Sequence, residues 1–301
     1  MAGMSRKAIR MLPFIVGLTL VGLLNASVAN AATLIYGSVY DSPTGQAALW
    51  GFAPAGTPPN RERFIGAIGF LRVGALDFSP GGTLYGVGFD GANAVLITIN
   101  TTTGVGTRVG SLGFGNLFVQ DIAFRPSDGA LFAFAEGSIF TINTTTGAAA
   151  ALGDAGLGFP FGNSLAFQGT TLFYANESSL YTIDQTTGAA TLVRPIVYQG
   201  FGSSPRPPAM KFEAGTGTLW ASVVGGAGGS FRDTLATIDP ATGKATALFL
   251  LPVTTDGIAV TAGVLPAAGA SVPTLSEWAQ VVLVSVMVLV GLAALRRRRP
   301  A

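Results

Sequence analysis

Asp121 and Asp256 are the two carboxylates whose setting in the sequence invites a chemical reading. Each stands just before an alternating pair, Ile122/Phe124 and Ile258/Val260, and Gln120, Asn163 and Ser164 hold comparable places. Two carboxylates at a defined separation are what glycoside hydrolysis requires. Carboxylates with amide and hydroxyl oxygens also make a weak cation site. The same side chains would equally cap strand ends and face water. The rest of the chain narrows the chemistry further. It has no Cys and no His. That removes thiolate nucleophiles and Cys-type metal sites, the commonest general base and any Ser-His-Asp triad. A quinone site would need many convergent Arg, Asn, Asp and Trp contacts, but Trp50 and Trp220 lie in apolar runs and read as core. Catalytic residue, metal site and cofactor are all expected to be none.

These residues are positioned by a repeat. "LDFSPGGTLYGVGF" from Leu76, "IAFRPSDGALFAFA" from Ile122, "LAFQGTTLFYAN" from Leu165 and "MKFEAGTGTLWASV" from Met210 align on Phe78, Phe124, Phe167 and Phe212, spaced 46, 43 and 45 residues apart. A period in the forties with several strands per unit is the mark of a β-propeller. Each unit reads as four strands. The first alternates apolar and small residues, as an inner strand covered on both faces does. Between the third and fourth comes Asn100-TTT-Gly104, Asn143-TTT-Gly147, Asp184-QTT-Gly188 or Asp239-PAT-Gly243. An Asn or Asp side chain starts such a turn by accepting from the backbone two residues on, and the Gly ends it with φ > 0. Each loop has at most one acidic group, too few for a calcium loop.

The ends of the repeat are incomplete in complementary ways. "TLIYGSV", "AALWGFAPAGT" and "RFIGAIG" match strands two to four of a unit, while "DGIAV" at Asp256–Val260 matches a lone first strand. Pairing them closes a ring and removes open sheet edges. The expectation is an all-β propeller of five blades of four antiparallel strands over residues 32–262, closed between its N- and C-terminal strands.

Charge locates the remaining segments. Only 11% of the 301 residues are charged, against about 25% on average. Seven of the 17 basic residues lie at the ends. They are Arg6, Lys7 and Arg10 at the front and Arg296, Arg297, Arg298 and Arg299 at the back. Residues 32–270 hold ten basic and fourteen acidic side chains, leaving four net negative charges, so no nucleic-acid footprint is present. Residues 1–31 have a basic start, an apolar run from Met11 to Leu24 and a small-x-small site at Ala29 and Ala31, the three parts of a secretory signal. Residues 263–271 read as a linker. Residues 279–295 form an apolar run with one polar member, Gln280, flanked by Trp278 and by four arginines. This predicts a C-terminal transmembrane helix with its arginines in the cytoplasm and the propeller outside the membrane.

Two resemblances follow. The Asp-x-x-Thr-Gly unit resembles bacterial exported repeat propellers, quinoprotein-like and YVTN-like ones among them, through turn and core positions that imply fold and not activity. The tail, residues 272–301, resembles the IPTL-CTERM (IPTLxxWG-CTERM) sorting signal in Pro273, Thr274, Leu275, Ser276, Glu277 and Trp278, and in the closing cluster Arg296, Arg297, Arg298 and Arg299. Val272 stands where Ile is usual and Ala279 where Gly is usual. That resemblance implies an exosortase-like membrane sorting enzyme as partner, in a Gram-negative cell that makes extracellular polysaccharide. The functional expectation is an exported surface or matrix module, non-enzymatic, binding a glycan or a protein. The alternative is an exported polysaccharide hydrolase or lyase.

Overall fold

The computed structural model describes residues 32–40, 46–58, 61–158, 162–225, 233–251 and 254–262. The signal segment with Ala29 and Ala31, the linker, and the sorting motif from Val272 to Trp278 lie outside the described residues. So do the apolar run 279–295, expected as a transmembrane helix, and the cluster of Arg296, Arg297, Arg298 and Arg299. Within the described residues the chain forms twenty strands and no helix.

The strands fall into four sheets. The first runs β20 (Thr255–Ala262), β1 (Thr33–Tyr40), β2 (Gln46–Phe52), β3 (Glu62–Phe78), β4 (Leu84–Phe89), β5 (Ala94–Ile99) and β6 (Gly106–Ser111). The second is β7 (Val119–Phe124), β8 (Leu131–Ala135), β9 (Ser138–Ile142) and β10 (Ala149–Asp154). The third is β11 (Ser164–Gln168), β12 (Thr171–Ala175), β13 (Ser179–Ile183) and β14 (Ala190–Pro195). The fourth is β16 (Arg206–Phe212), β17 (Leu219–Val224), β18 (Thr234–Ile238), β19 (Lys244–Leu250) and β15 (Val197–Gln199).

Two details depart from a plain set of four-stranded antiparallel units. The strand β3 is shared: its first half pairs with β2, and from Leu71 onward it pairs with β4. It bends where Gly69 and Arg72 take positive φ, 83° and 45°, and the register slips between Leu71 and Ala75. One continuous strand thus ends one repeat unit and begins the next. The second departure is β15, which adds to β19 in parallel, Val197 opposite Lys244.

The sequence-terminal strands pair as expected. The strand β20 lies antiparallel to β1, with Ile258 opposite Gly37 and Val260 opposite Ile35. The strands β3, β7, β11, β16 and β20 then pack side by side in a closed ring, β20 meeting β3 again. Five apolar clusters fill the spaces between neighbouring units. In the closing cluster Ile35, Phe52, Trp220, Leu235 and Ile258 meet, so residues from both ends of the described chain share one core. This is the arrangement of a β-propeller.

The Asn/Asp turns form as the sequence predicts. The Asn143 side-chain oxygen accepts from Thr145 and Thr146 N–H at 2.9 and 3.0 Å, and Asp184 does the same with Thr186 and Thr187. The closing glycines serve a further purpose. A Cβ on Gly147 would lie 2.6 Å from Gly110, and one on Gly188 would lie 2.7 Å from Gly153. Gly110 and Gly153 are on the outer strand of the preceding unit, so each turn rests backbone to backbone on its neighbour.

Candidate functional site

The inner strands carry the aligned residues Phe78, Phe124, Phe167, Phe212 and Val260 at or within two residues of their C-terminal ends. Each phenylalanine is braced by an aromatic residue from the unit before it. Tyr36 meets Phe78 at 5.7 Å between ring centroids, Tyr85 meets Phe124 at 5.2 Å, and Phe132 and Phe173 meet Phe167 and Phe212 at 5.4 Å. Such edge and tilted contacts are the favoured ring geometries. Trp220 holds the same place beneath Val260, in one cluster with it.

A cavity of about 380 Å³ opens at this end. The four rings, Pro80, Pro126 and Val260 give it apolar walls, and Asp77, Lys211 and Glu213 supply its charged groups. Its size is that of a small-ligand site.

Below the rings lies a buried ionic joint. Lys211 from β16 is 3% exposed and Asp121 from β7 is fully buried. The ammonium donates to both Asp121 oxygens at 2.8 Å and to the Leu165 and Met210 carbonyls at 3.0 and 2.8 Å. Asp121 also accepts from Ile122 and Leu165 N–H. Burial pushes its carboxyl up to about 7, against the pull of Lys211 and those two N–H groups. Asp77 on β3 accepts from Phe78 and Phe124 N–H at 2.9 and 2.7 Å. Burial raises it to about 6, again opposed by Lys211. Asp77 and Asp121 each tie their own strand to the next inner strand. Glu213 accepts from Thr33, Thr216 and Trp220.

The residues singled out in the sequence are spread differently. Asp121 is sealed in the joint with Lys211. The half-buried Gln120 accepts from Glu136 N–H at 3.2 Å. Asn163 is buried and accepts from the Tyr174 hydroxyl. Ser164 is fully buried, and its hydroxyl has no hydrogen-bond partner among the described residues. Asp256 lies within electrostatic reach of a carboxylate that its place in the sequence did not single out, Asp233. Asp233, which precedes β18, is fully buried, and one of its oxygens accepts from Thr255 N–H at 2.6 Å while the other has no partner among the described residues. Burial above all, and then the charge of Asp256, raise Asp233 to about 7. Burial raises Asp256 as well. The structure thus brings Asp121 to Lys211 and sets Asp256 within electrostatic reach of Asp233. Among the described residues no group of three or more acidic side chains could hold a metal ion.

The residues missed were Asp77, Lys211, Glu213 and Asp233. A signal for two of them was present. The middle of the inner-strand triplet is Asp77, Ala123, Ala166, Lys211 and Ala259. Two charges of opposite sign interrupt a column of alanines.

The comparisons with known proteins bear on the two parts of the chain separately. Beyond the propeller stand the VPTLSEW motif, an apolar run and the arginines Arg296, Arg297, Arg298 and Arg299 in order, and residues 270–299 match a known family along that whole length. That tail is an IPTL-CTERM motif. The IPTL-CTERM segment covers about a tenth of the chain and lies outside the described residues. Among curated proteins none matches the sequence. Solved structures similar to this chain include one from the nidogen/laminin complex, with TM-score 0.49 and 13% identity over 76% of this chain and 98% of that one. Another is TolB from Acinetobacter baumannii, TM-score 0.45 and 14% identity, over 73% of this chain and 53% of TolB. A third is a protein described as a gluconolactonase, TM-score 0.43 and 16% identity, covering 76% and 82%. These likenesses are distant. The fold rests on the strand pairing itself, and no activity passes from them to this chain.

Proposed function

We propose that this chain is an exported, five-bladed propeller that acts as a non-enzymatic binding module at the surface or in the matrix of a Gram-negative cell. The reading of five blades is supported by the Gly69–Arg72 bend in β3: divided there, the sheets make five four-stranded units around five inner strands, with β15 as an addition. Export and delivery follow from the signal segment and the IPTL-CTERM tail, which an exosortase-like enzyme reads after residues 279–295 have entered the cytoplasmic membrane.

The observation that carries the binding role is the cavity at the channel mouth. It is open, walled by four braced rings, and its carboxylates are already held by N–H and O–H donors. Such groups position a ligand better than they transfer protons. The ligand is carried by a glycan or a protein of the cell envelope. Co-sedimentation of the full chain with envelopes and matrix from its own host tests this. Wild type is retained, and Ala214→Trp, at an exposed position on the cavity lining, is released while its circular dichroism is unchanged. Equal retention of the two proteins sinks the mouth as the binding site.

One observation favours a second reading. Asp233 and Asp256, two carboxyls raised by burial, one of them with an oxygen that has no partner among the described residues, have the ingredients of an acid–base pair. Polysaccharide cleavage by the wild type, abolished by Asp256→Asn in a chain that still folds, would replace the binding role with that of a hydrolase or lyase.

A further inference from the structure

We infer that the phenylalanine-lined cavity takes a primary ammonium carried on an aliphatic stem, the chemistry shared by a lysine side chain and a free alkylamine. This rests on the reading of the mouth as a binding site and adds the class of ligand.

The argument is one of charge balance in an apolar setting. Three ionisable residues line the cavity: Asp77, Lys211 and Glu213. Lys211 looks like a reason to expect an anion, but its ammonium is already committed. It has three protons, and four acceptor oxygens lie within 3.0 Å of it, two of them from the buried Asp121 carboxylate. An incoming anion would have to compete with that carboxylate for the same protons. Asp77 and Glu213 are in the opposite position. Among the described residues neither forms an ion pair. Their partners are neutral N–H and O–H groups; Glu213 Oε2 is filled by Thr216 and Trp220, while Glu213 Oε1 and both Asp77 oxygens accept one bond each and keep room for a further donor. Asp77 and Glu213 thus line the cavity beside an ammonium that is already matched by Asp121 beneath it, and the walls around them are phenylalanine, proline and valine. Low-dielectric walls strengthen the attraction of that imbalance for a cation. They also cover an aliphatic stem, whose methylenes gain by leaving water. A glycan meets these walls poorly, since its hydroxyls would lose water against phenyl rings without gaining partners.

The test is calorimetric titration of the mature exported chain with three probes of one size: hexylammonium, 1-hexanol and hexanoate. Hexylammonium is expected to bind about ten-fold or more tightly than hexanol, the worth of one charge-assisted hydrogen bond, and hexanoate is expected to bind weakest. Glu213→Gln is expected to remove most of the preference for the amine while leaving hexanol unchanged. Trp220, which donates to Glu213 at 3.3 Å, reports through its fluorescence that the site remains folded. Asp77→Asn provides a second reading should Glu213→Gln unfold. A peptide with one blocked lysine distinguishes the sources. Binding of both the peptide and hexylammonium assigns a lysine of a partner protein, and binding of hexylammonium alone assigns a free amine. Equal affinity for hexylammonium and hexanol, with both lost in Ala214→Trp, overturns the ammonium and leaves the mouth as a binding site. Preference for hexanoate overturns it by showing that Lys211 governs the cavity. Absence of binding by every probe also overturns it. If envelope retention is then indifferent to Ala214→Trp, the binding role of the mouth falls as well.

Discussion

The Lys211 ammonium reaches from β16 to both carboxylate oxygens of Asp121 on β7, 2.8 Å from each and 90 residues away in sequence. The two strands are not neighbours in the ring, for β11 lies between them and its Leu165 carbonyl takes a share of the same ammonium. One side chain thus joins three inner strands. Removing one partner of a buried ion pair leaves the other charge uncompensated and costs about 3–5 kcal/mol. Lys211→Met is therefore expected to lower stability by that amount in urea denaturation, and adding Asp121→Asn is expected to restore part of the loss. An unchanged midpoint in Lys211→Met contradicts the joint.

The turn glycines make a second, independent prediction. A Cβ on Gly110 would stand 1.8 Å from the Thr146 carbonyl oxygen, in the turn of the next unit. Backbone on both sides leaves nothing flexible to yield. Gly110→Ala is expected to cost about 1–3 kcal/mol or more by forcing the units apart. Gly81→Ala, whose Cβ would meet nothing nearer than 3.8 Å, serves as the control and changes the thermal midpoint little.

The buried carboxyls set the pH dependence. Folding raises Asp77 to about 6 and Asp121 and Asp233 to about 7, chiefly through burial. The folded chain then binds protons more tightly than the unfolded one between about pH 4 and pH 7, so stability falls as pH rises through that window. The urea midpoint at pH 5 is expected to exceed that at pH 8. Asp233 is the group to isolate, because the charge of Asp256 acts on it and one of its oxygens has no partner among the described residues. Asp233→Asn keeps an acceptor for Thr255 N–H and should raise stability at pH 8 more than at pH 5. A larger gain at pH 5 would reverse the sign of the argument.

The repeat, its period and its closure were legible because they depend on patterns that recur. The Phe78–Phe124–Phe167–Phe212 spacing, the Asn and Asp turns and the Ile258/Val260 pair each state a local rule several times over. The site was less legible because its contacts occur once and join distant strands. Asp121 reads as a strand-end carboxylate until Lys211, from another unit, is placed against it. The shared strand β3 was hidden for a related reason: a bend at Gly69–Arg72 leaves the hydrogen-bonded strand unbroken where the repeat pattern ends one unit. Asp233 follows a segment with no repeat counterpart, so alignment gave it no column. The aromatic brace is an intermediate case. Tyr85, Phe132, Phe173 and Trp220 share a column in the repeat, yet only packing shows that each supports the phenylalanine of the following unit, or Val260 at the closure.

We propose that the sorting enzyme that reads the tail of this propeller also removes it. Intact-mass measurement of the protein from its own host tests it most directly. The account predicts a chain that begins at Ala32 and lacks Arg296, Arg297, Arg298 and Arg299, with the tail retained when the gene for the sorting enzyme is deleted. A mature protein that keeps those four arginines while that enzyme is active would contradict it.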